Sequence, residues 1–230
     1  MAAYWILFIG IAVASWLVSS NLKSKEKKYS QIPLENGMRG KEVAEKMLHD
    51  NGLYDVKVTV TGGFLTDNYN PANKTISLSK DIYLGENVFA AAVAAHETGH
   101  ALQHATAYAP LKMRSALVPV VSFSSQWVTW ILLAGMVLMG TGAKIGTSIL
   151  LGGIVLFAMT TLFSFITLPV EINASMRGLK WLNSAGITNS RNHTAAEGAL
   201  KAAAYTYVVA ALSSLATLLY YIMIFLGRRN

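Results

Sequence analysis

The sequence contains no cysteine, and it carries few charged residues. Without thiols the chain can form neither disulfide bonds nor a metal site with thiolate ligands. Only 13% of its 230 residues are Asp, Glu, Lys or Arg, whereas 53% are apolar, and the mean hydropathy is +0.40. Because a soluble domain usually has about 25% charged residues, this composition excludes an ordinary soluble protein.

Charged residues are missing altogether from four long stretches. These stretches are residues 1–22, 115–143, 145–170 and 202–227. A helix needs roughly 20 apolar residues to cross a bilayer, so the sequence predicts four transmembrane helices. The first stretch lacks the basic start and the cleavage site of a signal peptide, and its basic cluster follows the apolar run. We therefore interpret it as an uncleaved anchor.

Basic residues are concentrated in two segments. Of the 19 Lys and Arg residues, 12 lie between Lys23 and Arg114 and four between Arg177 and Lys201. Cytoplasmic loops are enriched in Lys and Arg, so we predict that both segments are cytoplasmic and both termini are outside. The two arginines at 228–229 argue against this assignment, because basic residues favour the cytoplasmic side and the assignment places this end of the chain outside. Basic residues beside a membrane attract lipid head groups, and we expect no nucleic-acid partner despite the net charge of +7.

The strongest chemical signal is a His-Glu-x-x-His sequence within the alanine-rich run 88–107. On a helix, His96 and His100 lie on the same face, so both imidazoles can bind one zinc ion. Glu97, on the adjoining turn, can act as general base on a water molecule at the ion. Asn87 is suited to cap the start of this helix. Two histidines do not complete a zinc site, so we expect a third protein ligand from elsewhere in the chain.

Glu171 is the predicted third ligand. After Glu97 the chain has only two acidic residues, Glu171 and Glu197. Glu197 has a structural explanation, because residues 194–197 have the pattern of a capping box before the last helix. Glu171 follows a predicted transmembrane helix, where a carboxylate is costly unless it is paired or bound to metal. The predicted hairpin returns it to the side of the membrane on which the motif lies.

Three further residues are weaker candidates for the third ligand. His104 continues the spacing of the motif, but on a straight helix it lies about 12 Å from His96, which is too far to share an ion. Glu197 and His193 both lie in the second basic segment, on the same predicted side of the membrane as the motif, and they stay open as candidates.

The region before the motif predicts a small sheet. Residues 40–50 have the pattern of a short amphipathic helix, and residues 55–60 and 75–79 read as strands, separated by a segment rich in turn formers at 68–74. An edge strand can pair with an extended peptide. The candidate substrate-pairing strand consists of Thr75, Ile76, Ser77, Leu78 and Ser79, although a purely structural strand fits the pattern equally well.

Two sequence blocks carry a resemblance to a known family. They are HETGHALQH at 96–104 and LPVEINAS at 168–175, together with Leu78-Ser79 and the membrane hairpin. In these features the chain resembles the YugP-type neutral zinc metallopeptidases of bacteria. The resemblance implies a multi-pass zinc peptidase of the bacterial cell (inner) membrane. It also implies His96 and His100 as ligands, Glu97 as base and Glu171 as a gluzincin-like third ligand.

A more distant similarity connects the chain with the HtpX and CAAX prenyl-protease group. That group also places transmembrane helices between His-Glu-x-x-His and a later Glu-x-x-x-Asp motif. Here Ser175 stands at the position of the Asp, which normally orients a ligand histidine. Asn173 and Ser175 are candidates to replace it, and prenyl-protease specificity does not carry over to this chain.

The predicted fold class is mainly α and integral to the membrane, with about four transmembrane helices and a small zincin-like α+β cytoplasmic domain. The predicted regions are a transmembrane anchor (1–22), a zincin-like region (23–114), a transmembrane hairpin (115–170), a second cytoplasmic segment (171–201), and a last transmembrane helix with the tail (202–230).

The predicted function is that of a membrane-embedded zinc-dependent endopeptidase. It uses one Zn²⁺ per chain and a Glu-assisted zinc-bound water to hydrolyse a peptide or membrane-protein substrate at the cytoplasmic membrane surface, in contact with the lipid bilayer. His104, His193 and Arg177 are candidate donors to the oxyanion that forms during hydrolysis. The alternative is a non-catalytic membrane scaffold or adaptor with a structural metal site, and Glu97 argues against it because a structural site needs no base.

Overall fold

The computed structural model describes residues 2–63 and 66–227. The arginine pair 228–229, which bears on the predicted topology, lies outside these residues. The described residues form helices α1 (Ala2–Tyr29), α2 (Gly40–Asp50), α3 (Lys80–Leu84), α4 (Val88–Ala105), α5 (Ala109–Gly140), α6 (Lys144–Ser184) and α7 (His193–Gly227), and strands β1 (Lys57–Thr61), β2 (Asn68–Asn70) and β3 (Thr75–Ser79).

Four of these helices are long and apolar enough to cross a bilayer. They are α5, α6, α7 and the part of α1 from Trp5 onward. Each of them covers most of one uncharged stretch, so the prediction of four apolar helices long enough to cross a bilayer is confirmed. Helix α6 continues through Glu171 to Ser184. Glu171 therefore lies inside a continuous helix. The sequence pattern, in contrast, suggests a position just after the end of a helix.

The chain forms two compact units. The first unit consists of the residues up to Trp16, Lys112–Leu168 and the residues from Tyr207 onward. In this unit α5 and α6 pack around a buried apolar cluster of Val128, Leu132, Leu150 and Ile154. The second unit consists of Leu17–Leu111 and Pro169–Thr206, and it contains every residue of the candidate site.

Helix α4 lies at the centre of the second unit. Most of its alanines are completely buried, and these small side chains let α2, α3, β2 and β3 pack closely around it. Its start is capped as predicted, because Asn87 Oδ1 accepts a hydrogen bond of 2.9 Å from the backbone N–H of Ala90. The helix ends at Ala105, shortly before Ala107 adopts a left-handed backbone conformation with φ of 52°.

The sheet of the second unit has the order β1-β3-β2. Strand β3 pairs with β1 in parallel and with β2 in antiparallel orientation, and its Ile76 and Leu78 are completely buried. The prediction that Thr75–Ser79 is an edge strand is therefore wrong, because both of its sides are hydrogen-bonded. The short strand β2 was missed, since Asn68–Asn70 falls in a segment rich in turn-forming residues.

Two glycines allow α4 and α6 to approach each other closely. A Cβ atom on Gly99 would overlap the carbonyl oxygen of Ala174, and one on Gly178 would lie 2.9 Å from the carbonyl carbon of Ala95. Both contacts are with backbone atoms, which cannot move aside as the end of a flexible side chain can. Glycine at both positions therefore sets the distance at which the motif helix meets the helix that carries Glu171.

We expect Gly99→Ala to destabilise the protein by about 1–3 kcal/mol, because the new methyl group overpacks the contact between α4 and α6. The measurement is thermal unfolding of the full chain purified in detergent micelles. Gly152→Ala, on α6, is the matched control, since nothing lies within 4 Å of a Cβ added there. Equal melting temperatures for Gly99→Ala and the wild type would contradict the proposed role of this glycine.

Candidate metal centre

The two histidines of the motif and Glu171 meet in the second unit. The Nε2 atom of His96 lies 3.2 Å from Glu171 Oε2, and the Nε2 atom of His100 lies 3.4 Å from the same oxygen. The two imidazole rings are 4.8 Å apart between centroids and nearly perpendicular, at 83°. Within the described residues, the potential metal-binding group consists of these three side chains, whose ligand atoms all lie within 4.8 Å of one another.

The spacing of these three atoms fits a zinc ion. Zinc takes bonds of about 2.0–2.2 Å to His and carboxylate ligands in tetrahedral geometry, which separates neighbouring ligand atoms by about 3.3–3.5 Å. The two separations that involve Glu171 Oε2, 3.2 and 3.4 Å, agree with that value, and all three ligand atoms lie within 4.8 Å of one another. Two imidazoles and one carboxylate are also a donor set that catalytic zinc sites use, with the fourth position left to water or substrate.

The carboxylates of this centre are both buried. Glu171 is only 3% exposed and Glu97 only 7%. Burial raises the pKa of the Glu97 carboxyl above its usual range, while the neighbouring His96 and His100 oppose this rise. A buried carboxylate is costly unless charge or hydrogen bonds compensate it, so a cation between the two histidines and Glu171 would also stabilise this part of the fold.

Each histidine of the motif uses its other ring nitrogen in a hydrogen bond. His96 Nδ1 lies 3.0 Å from Ser175 Oγ, so the residue at the position of the missing Asp contacts a motif histidine. His100 Nδ1 lies 3.0 Å from Gln103 Oε1. Gln103 was not predicted from the sequence, although a weak signal was present. It follows His100 by three residues, so the two side chains are neighbours on the helix, and the surrounding alanines offer the amide no hydrogen-bond partner.

Asn173 and Arg177 extend this group of hydrogen bonds. Asn173 Oδ1 accepts one bond of 3.0 Å from Gln103 Nε2 and another of 2.8 Å from Arg177 Nε. The guanidinium carbon of Arg177 lies 5.9 Å from the centre of the Tyr108 ring. Arg177 is thus held against its own helix and Tyr108.

The remaining predicted histidines lie outside the metal-binding group. His104 Nδ1 is 2.9 Å from the hydroxyl of Tyr69, and His193 Nδ1 is 2.8 Å from the hydroxyl of Thr188. Neither histidine belongs to the cluster that His96, His100 and Glu171 form.

Glu197 also lies outside the metal-binding group, but its carboxylate does not form the predicted capping box. It pairs with Lys201, one turn further along α7, at 2.7 Å. The helix begins at His193, so Thr194 lies inside the first turn and not before it. The predicted capping box at 194–197 is therefore wrong, and an ordinary i,i+4 ion pair accounts for this carboxylate.

A helix that carries His-Glu-x-x-His and meets a carboxylate from a distant helix is typical of zinc metallopeptidases. Comparison with known families agrees with this class. The family described as "Putative neutral zinc metallopeptidase" matches residues 4–226, and the chain belongs to this family. The resemblance inferred from the sequence is therefore confirmed.

The chain is also similar to a curated bacterial protein. It is 41% identical over 229 residues to the "Putative membrane protease YugP" of Bacillus subtilis (strain 168), and the match covers 98% of this chain and 99% of the relative. No solved structure gives a significant match.

We expect Glu171→Gln to weaken zinc binding by more than the 10- to 100-fold that is typical of losing an outer hydrogen bond, because the change removes a direct ligand. The dissociation constant is measured on purified protein by competition with a zinc chelator. Glu197→Gln is the matched control, because it removes a carboxylate that pairs with Lys201. Wild-type zinc affinity in the Glu171 variant would exclude this residue as a ligand.

Proposed function

We propose that this protein is a membrane-embedded, zinc-dependent endopeptidase whose active site lies at the cytoplasmic surface of the bacterial cell membrane. The observation that carries the proposal is the convergence of His96, His100 and Glu171, with Glu97 buried beside them on the motif helix. Membership of the zinc metallopeptidase family and the name of the relative, a membrane protease, support it. The substrate is a peptide or a membrane protein.

The residues have separate tasks in this proposal. His96, His100 and Glu171 would hold the zinc ion. When bound, the ion would polarise the scissile carbonyl group and make an attacking water more acidic. The carboxylate of Glu97 accepts a proton from that water and delivers it to the nitrogen of the leaving amine. Burial of the two carboxylates limits the access of bulk water to the site.

His104 is the donor that we favour for the oxyanion. On a helix, Glu97, Ala101 and His104 follow the spacing i, i+4 and i+7, so they lie along one face. The hydroxyl of Tyr69 orients the His104 ring through Nδ1. His193 and Arg177 are bonded in a similar way, to Thr188 and Asn173, and both stay candidate donors.

The sheet supports a revised position for substrate pairing. Because β3 is the central strand, an extended peptide cannot add to it. Strand β2 is an edge strand that packs against α4, and its Tyr69 reaches His104. We therefore assign substrate pairing to the free edge of β2 at Asn68–Asn70, where main-chain hydrogen bonds can hold a peptide beside the motif helix.

We expect Glu97→Gln to keep its zinc and to lose cleavage, because the amide retains the shape of the side chain but cannot accept the proton. Loss of a general base typically slows a reaction by about 10²- to 10⁴-fold. The two measurements are the zinc content of the purified protein and the rate of hydrolysis of fluorescently labelled casein in detergent micelles.

Glu86→Gln serves as the control for this experiment, because Glu86 is an exposed carboxylate paired with Arg39. It is expected to cleave at the wild-type rate. Cleavage that survives Glu97→Gln would rule out the mechanism. Zinc binding without cleavage in the wild type, under conditions in which related peptidases are active, would favour the structural metal site.

The absence of cysteine makes the orientation in the membrane testable. We expect a cysteine introduced at Thr141, in the turn between α5 and α6, to react in intact cells with a maleimide that does not cross membranes. A cysteine at Arg191, before α7, should react only after the cells are opened. Both positions are exposed in the structure. The opposite labelling pattern would place the site on the outer surface.

A further inference from the structure

Gln103 has no role in the proposed hydrolysis, yet its side chain contacts a histidine of the metal-binding group. Its side chain is completely buried, yet an amide has one acceptor and one nitrogen with two hydrogens to satisfy. Its Oε1 lies 3.0 Å from His100 Nδ1. Its Nε2 donates to the backbone carbonyl of Val170 at 2.7 Å and to Asn173 Oδ1 at 3.0 Å. Every polar atom of this buried side chain therefore has a partner.

These partners determine which way the amide of Gln103 points. A backbone carbonyl can only accept a hydrogen bond, so the nitrogen of Gln103 must face Val170. Arg177 can only donate, so the atom of Asn173 that receives its bond must be the oxygen, and this oxygen also faces Gln103. If the amide of Gln103 were reversed, its oxygen would lie against two other oxygens. The oxygen of Gln103 must therefore face His100.

The orientation of Gln103 in turn determines the proton position on His100. Since an amide oxygen can only accept, His100 must donate through Nδ1, and a neutral imidazole then carries its lone pair on Nε2. Nε2 is the atom that lies 3.4 Å from Glu171 Oε2. His96 differs, because the hydroxyl of Ser175 can either donate or accept and so leaves the choice of tautomer open.

The same amide also holds the helix turn of the third ligand. Val170, whose carbonyl receives the 2.7 Å bond, is the residue directly before Glu171. A single side chain on α4 is thus bonded both to one ligand and to the backbone beside another. Displacement of Gln103 would release the ring of His100 and loosen the turn of α6 that carries Glu171.

We propose that Gln103 is a positioning residue that selects the Nδ1–H tautomer of His100 and fixes this ligand relative to Glu171. Asn173 and Arg177 set the direction of the amide. The inference rests on the proposed function, since it concerns the same metal centre. An uncharged side chain, Gln103, thus orients a ligand histidine, His100.

The test compares two substitutions that change the hydrogen bonds of Gln103 and keep its approximate size. Gln103→Met fills the same space but offers His100 no good acceptor, and we expect its zinc dissociation constant to rise by about 10- to 100-fold. Gln103→Glu keeps an oxygen acceptor for His100 but places a second oxygen against Val170 and Asn173, so it should recover only part of the zinc affinity that Gln103→Met loses. Affinities are measured by chelator competition on the full chain in detergent micelles, and Co²⁺ absorption spectra report the ligand geometry.

Thr98→Val is the matched control. Thr98 is equally buried on α4, but its hydroxyl bonds only to the backbone carbonyl of Ala94 in the same helix, at 2.8 Å. We expect its zinc affinity and Co²⁺ spectrum to match those of the wild type. Wild-type zinc affinity in Gln103→Met, or an equal loss of affinity in Thr98→Val, would overturn the proposal.

A second measurement needs no variant of Gln103 and decides the question even if such variants fail to fold. Nitrogen-15 NMR of labelled histidine in zinc-loaded wild-type protein, in which the ion takes the lone pair on Nε2, should show the proton of His100 on Nδ1. His100→Gln identifies the signal. A proton on Nε2 would overturn the inference, whereas wild-type protein that neither binds zinc nor cleaves casein would instead reject the proposed function.

Discussion

The contact between the backbones of α4 and α6 at Gly99 and Gly178 is the constraint on which the metal centre depends. Packed helices usually lie about 8–10 Å apart, and the side chains at the contact set the distance. Here glycine faces backbone on both sides, so the helices come close enough for short side chains to meet. The serine that reaches His96 and the carboxylate that reaches both histidines are placed by this contact. A larger residue at either glycine would push α4 and α6 apart and so separate the two histidines from Glu171.

The side chains that contact the two histidines of the motif, Ser175 and Gln103, are both uncharged. Glu97 and Glu171 bring two negative charges into a buried region, and a divalent cation would balance them. Ser175 and Gln103 orient the rings without adding charge. An aspartate at the position of Ser175 would add a third negative charge in surroundings where charges interact strongly. Neutral hydrogen-bond partners are therefore compatible with a centre in which both carboxylates are shielded from water.

Much of the fold follows from simple sequence patterns, and the errors have physical causes. Uncharged runs identified the apolar helices, and the scarcity of carboxylates after Glu97 singled out Glu171. Strand β2 was missed because its three residues include two asparagines, which favour turns when considered locally. The central position of β3 could not be predicted without that strand. Gln103 was overlooked because its spacing from His100 is a weak signal by itself, and its bonds to Val170 and Asn173 join helices that are distant in sequence. The roles assigned to individual site residues remain predictions.

The separation of the ligands along the chain has a consequence for stability. His100 and Glu171 are divided by a long stretch that includes α5 and most of α6. An ion bound by both would pin the two ends of this long stretch to one point of the folded protein. Ligand bonds made only in the folded state also add the free energy of binding to that of folding. In a chain without cysteine, a metal ion would thus link distant parts of the folded protein through its free energy of binding, and not, as a disulfide does, by restricting the unfolded chain.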